Sequence, residues 1–580
     1  MVDILLKLIS FVSLGLIIYD FGFDKTFIAN SFINISYFTL LSIYLVIDAF
    51  KTFKNISELK FKSIAKIAFH LLAILIVCFY AFQNNVSIVF AVENYLYFYV
   101  LTFLVIFFLE VNNILSSIYT LKFSPAIIFA GSFFILIMIG SLLLMLPNST
   151  TKGSIGIVDA IFTCTSSVCV TGLVVLDTGK DFTLMGQTII IILIQLGGLG
   201  MLTLTSFFAY FFKGASSYQE NLYLRDFLSS DQIGGLLGFA LKIVLLTLFI
   251  ELIGAILIFI NIPNGYYNSL FEKIYFSVFH SVSAFCNAGF STLTNNFYNE
   301  NFRFSYNIHL ILSFLIIFGG LGYAVTFNLF NYLKLKIKSL YFKYILKIEN
   351  YHKSLNVLTL NSKIVVFTTL FLLIISTVAF MFTEFHNTLE EHTSFYGKLV
   401  TSFFDTTVLR TAGFNSVDLS ALTVPTVLFS LILMWIGASP ASTGGGIKTS
   451  TFALAVMNIY STVTGKHRIE IGTREIPQDT VNRAFTIIML SLFVLIISVT
   501  IIAMIEPNID ILAITFECFS AYATVGSSLG ITGTLSDSSK VVLIIVMFIG
   551  RVGTINLLIG MLKQVQDLPY KYPKESILIN

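Results

Sequence analysis

The sequence predicts an all-α membrane protein: four parallel M1–P-loop–M2 repeats around a pseudo-fourfold pore, plus four N-terminal accessory transmembrane helices. Three observations carry this. The 580 residues are 56% hydrophobic and only 11% charged, with 60 Phe, whereas soluble domains carry about 25% charged residues. Apolar runs long enough to cross a bilayer recur along the chain. Four short phrases, each containing a glycine, lie at Gly172, Gly289, Gly413 and Gly526. Each is followed 24–30 residues later by a second cluster, beginning at Gly197, Gly319, Gly437 and Gly550. Self-similarity of this kind marks an internal repeat.

In chain order, residues 1–118 form an accessory four-helix unit, with apolar runs at about 4–22, 31–50, 63–82 and 87–112. The first run lacks a basic leader and a small-residue cleavage site, so it reads as a retained helix. Pore repeat 1 occupies 119–215 and repeat 2 occupies 230–335. A basic cytoplasmic linker covers 336–363. Repeat 3, with a gate loop, covers 364–465, repeat 4 covers 480–565, and 566–580 is a cytoplasmic tail. Each repeat reads as a span, a shorter semi-polar run ending in the glycine phrase, and a second span. The second spans are expected at 186–208, 309–330, 424–460 and 541–562. The middle run is too short to cross and too apolar for a solvated loop. A re-entrant half-helix followed by extended backbone fits, because irregular backbone survives at membrane depth only inside protein or beside water.

Two crossings per repeat return the chain to its starting side, so all four glycine loops enter from one face. Lys334, Lys336, Lys338, Lys343, Lys347, Lys353 and Lys363 face a single acid, Glu349, in one connection. Lys466, Arg468, Arg474 and Arg483 mark another. Positive-inside bias places both connections, and both termini, in the cytoplasm. Lys51, Lys54, Lys60, Lys62 and Lys66 fall on that side too.

Desolvating a small cation takes several oxygens, and backbone carbonyls supply them without a trapping charge. The expected filter is Val170, Thr171 and Gly172; Asn287, Ala288 and Gly289; Thr411, Ala412 and Gly413; and Thr524, Val525 and Gly526. In each trio the glycine takes the unusual backbone conformation that turns carbonyls inward. Ser166, Ser167, Ser281, Ser283, Asp405 and Glu517 lie in the runs leading to it. The two acids either add negative potential near the mouth or hydrogen-bond and orient the loops.

The last span of repeat 3 is interrupted by Gly437-Ala-Ser-Pro-Ala-Ser-Thr-Gly-Gly-Gly-Ile-Lys448. Pro440 and Gly444, Gly445 and Gly446 break the helical ladder there. A flexible loop below the filter is expected to act as a gate, with Gly437, Ser439, Pro440, Gly444, Gly445, Gly446 and Lys448 as its residues. A phosphate-binding reading fails, because Ile447 separates Gly446 from Lys448 and no strand precedes the loop. Arg551, inside an apolar span, is costly enough to be a functional candidate by default. It is expected to pair with the 437–448 loop and keep a closed state populated.

These residues resemble the Trk/Ktr/HKT superfamily of potassium transporters. The resemblance rests on Ser167-Val-Cys-Val-Thr-Gly-Leu173, Ala284-Phe-Cys-Asn-Ala-Gly-Phe-Ser291, Arg410-Thr-Ala-Gly-Phe-Asn415, Ala523-Thr-Val-Gly526, Thr443-Gly-Gly-Gly-Ile-Lys448 and Gly550-Arg-Val-Gly553. It spans about residues 124–565 and is nearest the bacterial Ktr and Trk membrane subunits. It implies potassium uptake across the bacterial cytoplasmic (inner) membrane, with K+ held at the filter. A sodium-preferring or sodium-coupled transporter of the same family is the alternative. It also implies a homodimer and a cytosolic ring of RCK-type regulatory subunits, which would carry ATP/ADP or NAD(H). No cofactor is expected in this chain. Glycine at position 172, where some plant members have serine, argues for potassium. The four-helix leader is longer than in the compact Ktr-type subunit.

Other classes fit poorly. A net charge of +3 offers little to nucleic acid, and membrane lipids are the expected surroundings. The basic 334–363 connection suits a regulatory subunit, anionic lipid or topology alone. The five cysteines (Cys78, Cys164, Cys169, Cys286 and Cys518) lie in apolar segments without a CxxC pair and read as buried small hydrophobes. No HExxH or GxSxG motif supports an enzyme.

Overall fold

Hydropathy and length decide which helices cross. The computed structural model describes residues 2–24, 27–54, 125–200, 236–344 except 264 and 268, and 358–554 except 467, 472 and 473. It also describes positions 75, 100, 102, 103 and 106. Among them, α1 (Val2–Gly22), α2 (Phe27–Lys54), α3 (Pro125–Leu144), α6 (Leu236–Asn261), α10 (Leu360–Glu384) and α14 (Gln478–Ile505) are each long and apolar enough to span a bilayer. A further pair, α8 (Tyr306–Gly320) and α9 (Tyr323–Tyr344), makes a seventh span if the two are taken together. Large apolar side chains such as Leu245, Leu248, Phe249, Leu252 and Ile256 of α6 are exposed, as lipid-facing residues are. The expected third and fourth accessory helices lie largely outside the described residues, as do 345–357 of the basic linker and the 566–580 tail. α1 and α2 pack on each other around Leu6, Ile33, Tyr37, Leu41 and Tyr44.

The remaining helices are shorter. They are α4 (Ile157–Val168), α5 (Leu184–Leu199), α7 (Leu270–Phe285), α11 (Phe395–Val408), α12 (Val424–Trp435), α13 (Thr449–Val463), α15 (Ile511–Ala523) and α16 (Asp537–Val552). Local signals start several of them. Ser394 caps α11 by accepting from the Gly397 N–H at 2.9 Å, and Thr183 caps α5 through Gly186 at 3.3 Å. Their packing closes a cycle: α5 touches α7, α8 touches α11, α12 touches α15, and α16 touches α4. The last contact joins the two ends of the cycle and holds an ion pair, Lys540 Nζ to Asp159 Oδ1 at 2.8 Å.

Two sequence expectations are corrected. The span expected at 309–330 is not straight: α8 and α9 are bent by 106° at Leu321-Gly322, where Gly322 has φ +80°. The apolar run weakens but continues through the turn, which its glycine permits. Within the stretch 336–363 read as a basic linker, α9 runs on to Tyr344 and α10 begins at Leu360. The all-α expectation also misses a two-stranded antiparallel hairpin, β1 (Ile469–Ile471) with β2 (Arg474–Ile476), before α14. Alternation of charged and β-branched residues over so few positions gives little periodic signal.

Outside the spans, His392 sits between α10 and α11, buried, with its ring nitrogens 3.1 Å from Tyr306 Oη and 3.4 Å from Thr401 Oγ1. Burial holds its imidazole below the ordinary histidine range. The fold therefore favours the neutral ring. Its contribution is complete above about pH 6.5, the unfolded value, and is lost as pH falls below that. The thermal midpoint of purified protein is expected to drop between pH 8 and pH 5 by less in His392→Gln than in the parent.

Candidate functional site

The C-terminal ends of α4, α7, α11 and α15 converge on the four glycine phrases. In each phrase two residues have left-handed backbone. The glycines Gly172, Gly289, Gly413 and Gly526 have φ of +93°, +70°, +71° and +90°. Two positions earlier, Val170, Asn287, Thr411 and Thr524 have φ of +57°, +61°, +93° and +52°. Left-handed residues at alternate positions turn successive peptide groups to one side. The intervening N–H groups bond back to the short helices: Thr171 to Ser166 O at 2.7 Å, Ala288 to Ser283 O at 2.7 Å, Ala412 to Val408 O at 2.8 Å and Val525 to Ser520 O at 2.9 Å. The serine hydroxyls help, Ser166 Oγ accepting from the Gly172 N–H and Ser520 Oγ from the Gly526 N–H.

The four segments abut in a closed order. A Cβ placed on Gly172 would lie 3.2 Å from Gly289 Cα, on Gly289 3.0 Å from Gly413 Cα, on Gly413 3.0 Å from Gly526 Cα, and on Gly526 2.8 Å from Gly172 Cα. Each would also press on a carbonyl of the next segment: Ala288, Ala412, Val525 and Thr171 in turn. Glycine is required because main chain meets main chain there. Among the described residues no hydrogen bond reaches the carbonyls of Val170, Thr171, Gly172, Asn287, Ala288, Thr411, Ala412, Gly413, Thr524, Val525 or Gly526, while that of Gly289 accepts from Asn296 at 3.3 Å. Nearly all of these residues are buried, and buried carbonyls ordinarily find a partner. No group of three or more His, Cys, Asp or Glu side chains converges as a metal site among the described residues. The oxygens on offer here are main-chain ones.

The second glycine clusters serve close packing. Gly197, Gly319 and Gly550 lie against the carbonyls of Val168, Phe285 and Tyr522, at the ends of α4, α7 and α15. Gly437 instead lies against the Gly445 carbonyl, because here the chain departs into the 436–448 loop. That loop joins α12 to α13 and is tied at both ends: Gly437 N–H donates to Ile447 O at 2.9 Å, and Ile447 N–H to Trp435 O at 3.1 Å. It lies directly under two of the four segments. The Gly445 N–H donates to Thr524 Oγ1 at 2.9 Å, and a side chain on Gly444 would collide with Thr411 Oγ1. Lys448 Nζ donates back to Gly444 O at 2.6 Å. Ser439 donates through its N–H to Gly320 O at 3.0 Å and through its hydroxyl to Leu321 O. Pro440 and Gly446, at φ +68°, shape the turns.

Arg551, near the end of α16, reaches this loop. Its guanidinium donates to Thr443 O and, at 2.5 Å, to Gly197 O. One side chain thereby fastens the loop to α5 across the cycle. Asp405 and Glu517 bond locally: Asp405 accepts from Ser416 N–H at 3.1 Å and its hydroxyl at 2.9 Å, and Glu517 accepts from Thr532 Oγ1 through one of its two oxygens. Both orient the chain that leaves the glycine segments.

Two buried ionic residues beside the glycine segments, Arg410 and Glu251, were given no role by the sequence reading. Arg410, next to Thr411, donates to Gly437 O at 3.5 Å. Glu251, the lone acid in α6, accepts from Gln195 Nε2 at 3.1 Å and lies 3.9 Å from Cys286 Sγ, behind the second segment. An acid within an apolar run is the signal that would have found it.

Membrane-spanning helices gathered round a centre of main-chain oxygens define a polytopic membrane transport protein. Residues 98–568 match the model of the TrkH family, described as a cation transport protein, and the chain belongs to that family, a family of transporters, not enzymes. It is 35% identical over 459 residues to the Ktr system potassium uptake protein B of Bacillus subtilis, covering 79% of this chain and 97% of that protein. It is 33% identical over 467 residues to the potassium/sodium uptake protein NtpJ of Enterococcus hirae, covering 79% and 98%. The crystal structure of the potassium transporter TrkH from Vibrio parahaemolyticus superposes with a TM-score of 0.60 over 87% of this chain and 99% of that one, at 19% identity. That likeness is one of fold.

Proposed function

We propose that the chain is the pore subunit of a potassium uptake system, with Gly172, Gly289, Gly413, Gly526 and the two residues before each forming a carbonyl-lined filter. The observation that carries this is the closed cycle of four main-chain segments whose carbonyls, that of Gly289 aside, accept no hydrogen bond among the described residues. Such oxygens replace the hydration shell of a monovalent cation. The negative ends of α4, α7, α11 and α15 face the same point and favour positive charge. The repeats then run parallel, each with one re-entrant helix, around a pseudo-fourfold axis. The 437–448 loop is the gate beneath the filter, and Arg551 is its latch. The names of the relatives in Bacillus subtilis and Enterococcus hirae support potassium as the cargo. The second of those names also keeps sodium as a second cargo.

The same reading places the protein in the bacterial inner membrane with both termini cytoplasmic, as a homodimer on a cytosolic ring of nucleotide-binding regulatory subunits. Growth rescue of an uptake-deficient bacterium tests it. The parent chain, with a suitable regulator, is expected to restore growth on low potassium, and Gly172→Ser to shift uptake toward sodium. Absence of potassium or rubidium flux in vesicles that contain folded protein and regulator would contradict the assignment.

A further inference from the structure

Helix α9 does not continue the span that precedes it. A direction change of 106° after α8 sets it nearly at right angles to that helix. One side of it docks on the protein: Val325 is buried and, with Leu329, packs on Val365 and Val366 at the start of α10. Another side carries Phe330, Leu333, Ile337 and Tyr341, exposed by 63%, 51%, 65% and 50%. Spacings of three and four residues put these on one helical stripe. Lys334 and Lys338 border that stripe on one flank and Lys336 on the other, all exposed, and α9 contains no acid. A water-facing helix has no reason to present a continuous apolar stripe. A stripe edged by cations on a helix lying in the membrane plane is complementary to an anionic lipid surface.

The first turn of α9 is also fastened to the 437–448 loop. Tyr323 N–H donates to Ala441 O at 3.1 Å, and Ser439 bonds the carbonyls of Gly320 and Leu321 just before it. We propose that α9 is an interfacial helix that seats its Phe330, Leu333, Ile337 and Tyr341 stripe in the inner leaflet. Lys334, Lys336 and Lys338 hold anionic phospholipid headgroups there, and the bound lipid restrains the loop through Tyr323. This rests on the cytoplasmic placement of α9 given above.

The test uses the full-length protein in phosphatidylcholine vesicles with or without phosphatidylglycerol. A spin label at Ile337→Cys, with Cys78 changed to Ser, reports collisions with lipid-dissolved oxygen against a water-soluble nickel chelate. The label is expected in lipid. The triple variant K334Q, K336Q, K338Q is expected to lose its preference for phosphatidylglycerol over phosphatidylcholine by about tenfold or more. Rubidium flux should respond to phosphatidylglycerol in the parent and lose that response in the triple variant. A water-exposed label, leaving the stripe for a soluble protein partner, would overturn the proposal. So would an unchanged lipid response in the triple variant. If flux is absent in every lipid while the label is lipid-buried and phosphatidylglycerol preference depends on the lysines, the transport reading fails and lipid seating stands.

Discussion

Replacing Gly413 by alanine is expected to cut ion uptake by more than about tenfold while leaving the chain folded in the membrane. Gly413 has φ +71°, and a non-glycine residue held there costs about 1–2 kcal/mol. The added methyl would also sit 3.0 Å from Gly526 Cα and press on the Val525 carbonyl. Neither neighbour is a side chain that can swing away. The fourth segment must shift, and the spacing of oxygens around the centre shifts with it. A misfit of about 1.4 kcal/mol at the transport barrier is tenfold in rate, so rubidium uptake per membrane-resident protein should fall by more than about tenfold. Gly131→Ala, in α3 with nothing within 4 Å of the added carbon, is the control and should behave as the parent.

Arg551→Ala is expected to act in the opposite direction and raise flux several-fold. Its guanidinium joins Thr443 O of the loop to Gly197 O of α5. A hydrogen bond from a charged donor is worth about 1.5–3 kcal/mol, so losing both frees the loop. Removing a cation from below the proposed filter lowers the electrostatic barrier as well. Arg551→Lys separates the two effects, since lysine keeps the charge without the planar fork. If bonding dominates, the lysine variant leaks nearly as much as alanine; if charge dominates, it resembles the parent. Single-channel or liposome flux recordings distinguish these outcomes. Unchanged flux in well-expressed Arg551→Ala would remove Arg551 from the gating account.

The sequence discloses what composition and punctuation encode. Long uncharged runs mark the spans, and glycine phrases mark places where backbones meet. Gly444, Gly445 and Gly446 announce a break because no helix tolerates them together with Pro440. It does not disclose direction. Hydropathy falls after Leu321, but Val325, Phe327, Leu329 and Phe330 still let the stretch read as a continuation of the span, so the turn at Gly322 passes unnoticed. The second left-handed residue of each segment was also hidden. Val170, Thr411 and Thr524 carry β-branched side chains that resist such backbone, and only the surrounding packing holds them in it, while Asn287 tolerates it. Glu251 and Arg410 went unassigned for a different reason: their partners, Gln195 and the Gly437 carbonyl, are distant in sequence and meet them only in the fold.

The proposed filter sets four stretches of main chain around one dehydrated monovalent cation. Anomalous difference density from crystals of the full protein grown with rubidium in place of potassium tests it most directly. The account predicts peaks on the shared axis among Gly172, Gly289, Gly413 and Gly526, within carbonyl reach of all four segments. A map in which these segments stand apart, or in which rubidium binds elsewhere and leaves that axis featureless, would contradict it.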